Sequence, residues 1–238
     1  MKRVVQLKIL ASERNAALVI GTPEACNAAA NRVSAVARER NIRSGYDLRG
    51  VTYGDVKATV PGAQAAQQTI RKVVQAYRTH RANLHAGNYG KRGSERRERA
   101  ERRVLRFRPG SAQPYDDRIL SWDHEARTVS IWVMDRGDGK PGRLRDLAFT
   151  GREEDVAAVI KFRHGETDLV YRGGELYLIP TLELPDPDAY PPQDWLGVDL
   201  GESRRGESHP PALAEPGVNL SAHRAPIVQP SGRTPQRQ

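Results

Sequence analysis

The chain has 238 residues, 38% of them hydrophobic and 28% charged, with a formal net charge of +9 and one cysteine, Cys26. That length supports one or two domains with a core, and the lone cysteine excludes an internal disulfide and any multi-cysteine zinc site. No apolar run of about 18 residues occurs, and the polar start from Met1 to Ile9 does not read as a signal peptide. A cytoplasmic protein with no membrane partner is expected.

The charge is uneven. Residues 1–110 carry 23 basic and 8 acidic side chains, a net of +15, whereas residues 111–238 carry 15 and 21, a net of −6. Most of the basic residues in the first half are arginines, which fork onto phosphate and stack on bases. A polyanion is therefore the expected partner, and nucleic acid suits it better than a lipid surface, because no basic helix with bulky apolar anchors is visible.

Val5, Leu7 and Ile9 alternate with Gln6 and Lys8, the period of a half-buried strand. Thr22-Pro23-Glu24 reads as a helix start. Cys26, Ala29, Ala30, Val33 and Ala37 then form a narrow apolar stripe, predicting a helix over 22–40 with Cys26 as a small buried side chain. Residues 41–60, with Gly45, Gly50 and Gly54, read as loop. Pro61-Gly62 opens a second helix whose stripe is Ala66, Ile70, Val73, Val74 and Tyr77. Arg71, Lys72, Arg78 and Arg81 lie around the rest of it.

Residues 91–108 hold nine basic and three acidic residues. The pairs Glu95–Arg99 and Glu98–Arg102, four apart, support a helix but do not neutralise the excess. Lys91, Arg92, Arg96, Arg97, Arg99, Arg102 and Arg103 are therefore candidates for phosphate contact alongside the four basic residues of the second helix.

From Val104 the period changes to two. Alternation at 104–108 and 128–133, the short run 119–122, turn chemistry at 135–139 and a hairpin signal at Gly173-Gly174 suggest a small antiparallel barrel. A short helix is expected at Glu153–Ile160. The first strand is expected to join the barrel, so that the helices are an insertion. A proline-rich linker follows at 185–194, then one more strand at 195–201, then a tail at 202–238 with no apolar period, expected to be disordered.

Gly197-Val198-Asp199-Leu200-Gly201 sets a carboxylate on a short apolar strand between glycines. Such a strand could hold an acid rigidly while its glycines admit an anion and a metal. The reading of a plain strand ending in a turn stands beside it.

Several words, in order, carry a resemblance: Asn27-Ala28-Ala29-Ala30-Asn31, the stretch from Ala65 to Tyr77, Tyr115-Asp116-Asp117-Arg118, the stretch from Asp168 to Leu178, and Leu196-Gly197-Val198-Asp199-Leu200-Gly201. Over about residues 1–201 the chain resembles the TnpB (OrfB) family, transposon-encoded RNA-guided nucleases related to type V CRISPR effectors. The resemblance implies an α+β fold: a wedge-like β-barrel from residues 1–20 and 104–184, interrupted by a helical recognition region at 21–103. The strand at 195–201 would then begin an incomplete ribonuclease H-like (RuvC) domain, before the disordered tail. In such proteins the first parts bind a guide RNA and target DNA, and three acids with Mg²⁺ cut the DNA. Asp199 matches the first acid and would be a metal ligand. Glu202, Glu207 and Glu215 have no strand to hold them, and the family's four-cysteine zinc element is absent. The expectation is thus a nucleic-acid-binding protein without a complete nuclease site and without productively bound Mg²⁺. The sequence leaves open a nuclease completed by a transposon-encoded partner chain or a second copy, a monomer, and a product with no working role.

Overall fold

A computed structural model describes residues 1–186, which form five helices and one eight-stranded antiparallel sheet. In chain order these are β1 (Lys2–Val4), β2 (Leu7–Leu10), α1 (Glu13–Glu39), α2 (Gly45–Thr59), α3 (Ala63–His85), α4 (Glu95–Arg102), β3 (Gln113–Tyr115), β4 (Leu120–Asp123), β5 (Thr128–Val133), β6 (Gly142–Thr150), α5 (Glu153–Phe162), β7 (Arg163–Arg172) and β8 (Glu175–Glu183). The class is mixed α+β.

The sheet runs β3-β7-β8-β2-β6-β5-β4, with β1 also on β8. Its edge strands β3 and β4 are joined by a tight turn, in which the amides of Ile119 and Leu120 donate to the Asp116 carbonyl at 3.0 and 2.8 Å. The sheet therefore curls into a nearly closed barrel. Alternate residues face inward, as Val129, Ile131 and Val133 do on β5 and Leu176, Leu178 and Leu182 do on β8. Gly173 and Gly174, at φ 61° and 84°, make the two-residue turn between β7 and β8 in the left-handed region that such turns demand.

A second core lies among the helices, built from Cys26, Ala29, Ala30 and Val33 on α1, Leu48 and Val56 on α2, and Ala66, Ile70 and Val73 on α3. Trp132 of β5 packs against both cores. Cys26 is fully buried in the helical core, and burial pushes its thiol pKa up, as expected of a small apolar side chain.

Three expectations need correction. The first helix does not start at Thr22. Ser12 caps it, its Oγ accepting from the Asn15 amide at 3.3 Å, and Pro23 lies inside the helix. The proline ring carries no N–H for the Val19 carbonyl, yet burial of Val19, Thr22, Pro23 and Cys26 on one stripe carries the helix through. The segment 41–60 is not loop: most of it is α2. Ser44 caps it, and Leu48, Thr52 and Val56, four apart, form a buried stripe that outweighs the cost of three glycines.

Residues 104–108, whose alternation suggests a barrel strand, lie outside the sheet. Their backbone is paired by helix side chains instead. The Asn31 amide donates to the Phe107 carbonyl at 2.9 Å and accepts from the Phe107 N–H at 2.7 Å. Ser34 donates to the Leu105 carbonyl at 2.6 Å, and Asn27 to the carbonyls of Pro109 and Ser111 at 2.7 and 2.8 Å. Asn27, Asn31 and Ser34 share one face of α1 by their four- and three-residue spacing. The proposed linker beyond Asp186, the strand at 195–201 and the tail at 202–238 lie outside the described residues.

Candidate nucleic-acid interface

The helical half gathers the basic residues, and its surface falls into two groups according to what each cation already touches. On α3, Lys72 points inward. Its ammonium donates to Asn27 Oδ1 and the Ala112 carbonyl and sits 5.2 Å from the centre of the Phe107 ring. Burial lowers its pKa to about 8 against the opposing pull of Cys26 and Asp168. This lysine ties α3 to α1 and to the chain leaving α4, so it is removed from the phosphate-binding candidates. Helical position alone could not separate it from Arg71 next to it.

Arg71 is exposed but forms an ion pair with Glu166 on β7. Arg97 is mostly buried: it bonds Glu101 at 2.6 Å and the Leu84 carbonyl, fastening α4 to α3. Arg99 and Arg102 lie along α4 beside Glu95 and Glu98, at 3.7 and 2.8 Å. The sequence spacing predicted both pairs, and as exposed ion pairs they remain open to exchange with phosphate.

The other candidates have no carboxylate within 4 Å among the described residues. These are Arg78 and Arg81 on α3, Lys91, Arg92 and Arg96 around the start of α4, and Arg103 at its end. Arg96 makes one long bond, 3.4 Å, to the Asn88 carbonyl. On the barrel, Arg3 and Arg152 bond Asp155, Lys8 pairs with Glu175, Arg127 with Glu153, and Arg163 with Asp117, whereas Arg118, Arg143, Arg145 and Arg172 have no carboxylate within 4 Å among the described residues.

The structure adds residues that the sequence did not single out. Arg38, near the end of α1, and Arg43, in the turn before α2, join Arg81 and Arg103 around a cleft of about 320 Å³. Its floor includes Tyr77 and His80. Farther along the helical half, a groove is lined by Tyr46, Arg49, Gln64, Gln67 and Arg71. Tyr46 there is 78% exposed, an aromatic face open to stacking. Arg38 and Arg43 lie far from the dense run in sequence, and only the return of the chain through α3 and α4 brings them to it.

The words behind the family resemblance have identifiable structural work. Asn27 and Asn31 pin the segment after α4. Asp116 accepts from the Arg118 amide at 3.1 Å and, through its other oxygen, from Gln68 at 3.2 Å, joining the barrel turn to α3. Asp168 to Leu178 forms the β7–β8 hairpin.

Asp199, the expected catalytic and metal-binding acid, lies outside the described residues. Among the described residues no group of three or more His, Cys, Asp or Glu is placed to hold a metal ion. No helix among them is long and apolar enough to cross a membrane. No known protein family's model matches the chain, and a search of the curated proteins finds no match.

Proposed function

We propose that this chain binds nucleic acid through its helical half, as a TnpB-like protein holding a guide RNA and the target DNA paired to it. The observation that carries the reading is the set of arginines and lysines on α3, around α4 and in the turn before α2 that lack an acid partner among the described residues. Uncompensated neighbouring cations repel one another and cost stability unless a polyanion meets them. Arginine suits that role, since its fork meets phosphate oxygens in pairs. Tyr46 beside Arg49 supports the same reading, because a base can stack on the ring while a guanidinium reaches the adjoining phosphate. Binding through phosphates and shape suits structured RNA, whose deep groove side chains do not read. The RuvC-type reading of residues 195–201 and the Mg²⁺ it implies remain part of the resemblance, and no cleavage step is assigned to the described residues.

The test is fluorescence anisotropy with a labelled structured RNA over a series of KCl concentrations. The expected result is binding whose logarithm falls linearly with log salt, with a slope of about −4 or steeper when five or more phosphates are neutralised. No binding at low salt, or an affinity indifferent to salt, would refute the proposal.

A further inference from the structure

The cleft between α1, α3 and the end of α4 is more specific than a basic face. Four segments wall it: the end of α1 with Arg38, the following turn with Asn41 and Arg43, α3 with Arg81, and the end of α4 with Glu101 and Arg103. Its floor groups are already engaged. The Tyr77 hydroxyl bonds Ser34, and His80 bonds the Ala100 carbonyl at 2.9 Å and the Tyr89 hydroxyl at 3.3 Å. The one acid on the wall, Glu101, is taken up by Arg97 at 2.6 Å. The free donors of the cleft are therefore its arginines and the Asn41 amide.

A bland role for those arginines is to offset helix carbonyl ends, since α1 ends at Glu39 and α4 at Arg102. Each helix C-terminus carries about half a negative charge, so two of them balance about one guanidinium of the four. About three positive charges remain. A phosphodiester in a strand carries one negative charge, whereas a phosphomonoester carries about −1.5 to −2 near neutral pH and three acceptor oxygens. A volume of about 320 Å³ takes a phosphate and its sugar, at the small end of ligand sites, and is too small for a paired helix.

We infer that this cleft holds the terminal phosphate of a single nucleic-acid strand. The inference rests on the nucleic-acid-binding reading above and names one chemical group within it. Arg38, Arg43, Arg81 and Arg103 supply forked donors to the phosphate oxygens.

The experiment compares one fluorescent RNA oligonucleotide in three forms, with a 5′-phosphate, with a 3′-phosphate, and with hydroxyls at both ends, binding to the whole chain at fixed salt. One phosphorylated end should bind about tenfold more tightly than the hydroxyl form. The double variant Arg38→Gln/Arg43→Gln should bring that ratio to about one. Lys91→Gln/Arg92→Gln should weaken all three forms together and leave the ratio in place. Because the hydroxyl form reports on each variant as well, a failure to fold shows as loss of binding to all three. In that case the single variant Arg43→Gln, in an exposed turn, carries the test with the same expected loss of preference. Equal affinity for the three forms, with a steep salt dependence, would overturn the cleft inference and leave the general function standing. No binding of any form by the unaltered chain would overturn both.

Discussion

Asn31 on α1 and Phe107 after α4 exchange two hydrogen bonds, the side-chain amide taking the place of a strand's peptide group: Phe107 N–H to Asn31 Oδ1 at 2.7 Å, Asn31 Nδ2 to the Phe107 carbonyl at 2.9 Å. One side chain thereby fixes the path by which the chain leaves the arginine-rich helix and returns to the barrel. Asn31→Ala removes both partners from a part-buried backbone group, and the expected loss is about 2–4 kcal/mol. Asn31→Asp keeps the acceptor but turns a carboxylate toward the Phe107 carbonyl, and should destabilise by a similar amount. Urea unfolding followed by circular dichroism checks both; midpoints within error of the parent would show that this pairing is not what holds the segment.

That pairing also explains what the sequence could and could not reveal. The alternation at Val104 to Arg108 suggests a strand, but period two does not say who supplies the hydrogen bonds, and here a helix face does. The strand at 128–133 and the hairpin around Gly173-Gly174 were legible because their apolar residues are bounded by turn residues, whereas the start of β7 at 163–168 carries no apolar alternation. α2 was hidden by its three glycines, although Ser44 and the four-residue spacing of Leu48, Thr52 and Val56 were available signals. For the candidate interface, sequence could count arginines but not sort them. Lys72 and Arg97 turn inward to join helices, while Arg38 and Arg43 reach the cleft only through tertiary packing.

Lys72 should leave a signature in the pH dependence of stability. Its folded pKa, about 8, lies below the ordinary lysine value of 10.5 because the site is buried. The folded state therefore releases a proton that the unfolded chain still holds, and stability contributed by this group rises with pH once pH passes about 8. Cys26, raised by burial, works the other way above its ordinary value of 9.0. The clean window is thus about pH 8 to 9. Thermal unfolding should show the parent gaining stability relative to Lys72→Met across that window, and parallel curves for the two proteins would count against a buried, weakened ammonium.

The helices and the barrel also meet at one close approach. Gly62, the residue capping α3, lies under the Trp132 indole, and a methyl group built on it would come within 2.5 Å of the ring. Because Trp132 packs against both cores, it has little room to withdraw. Gly62→Ala should cost about 1–3 kcal/mol by overpacking and shift the tryptophan emission. Gly62→Ala with Trp132→Phe should recover part of that loss. A single variant as stable as the parent, with unaltered emission, would show that helices and barrel are loosely joined at this point.

Arginines that bind nucleic acid and arginines that only support structure should respond differently to substitution. Arg78, Lys91 and Arg92 have no acid within 4 Å among the described residues, whereas Arg97 bridges α3 and α4. Replacing Arg78, Lys91 and Arg92 together by Gln should leave unfolding midpoints close to the parent, since exposed charges contribute little to stability. The same change should flatten the plot of log affinity against log salt by about 0.7–0.9 for each phosphate that no longer meets a cation. Arg97→Gln should do the reverse, lowering thermal stability by about 1–3 kcal/mol as the Leu84 carbonyl is deprived of its donor, with a smaller effect on the salt slope. If the triple substitution instead left the slope untouched, those three cations would be a solvated face, and the binding surface would have to lie nearer the cleft and Tyr46.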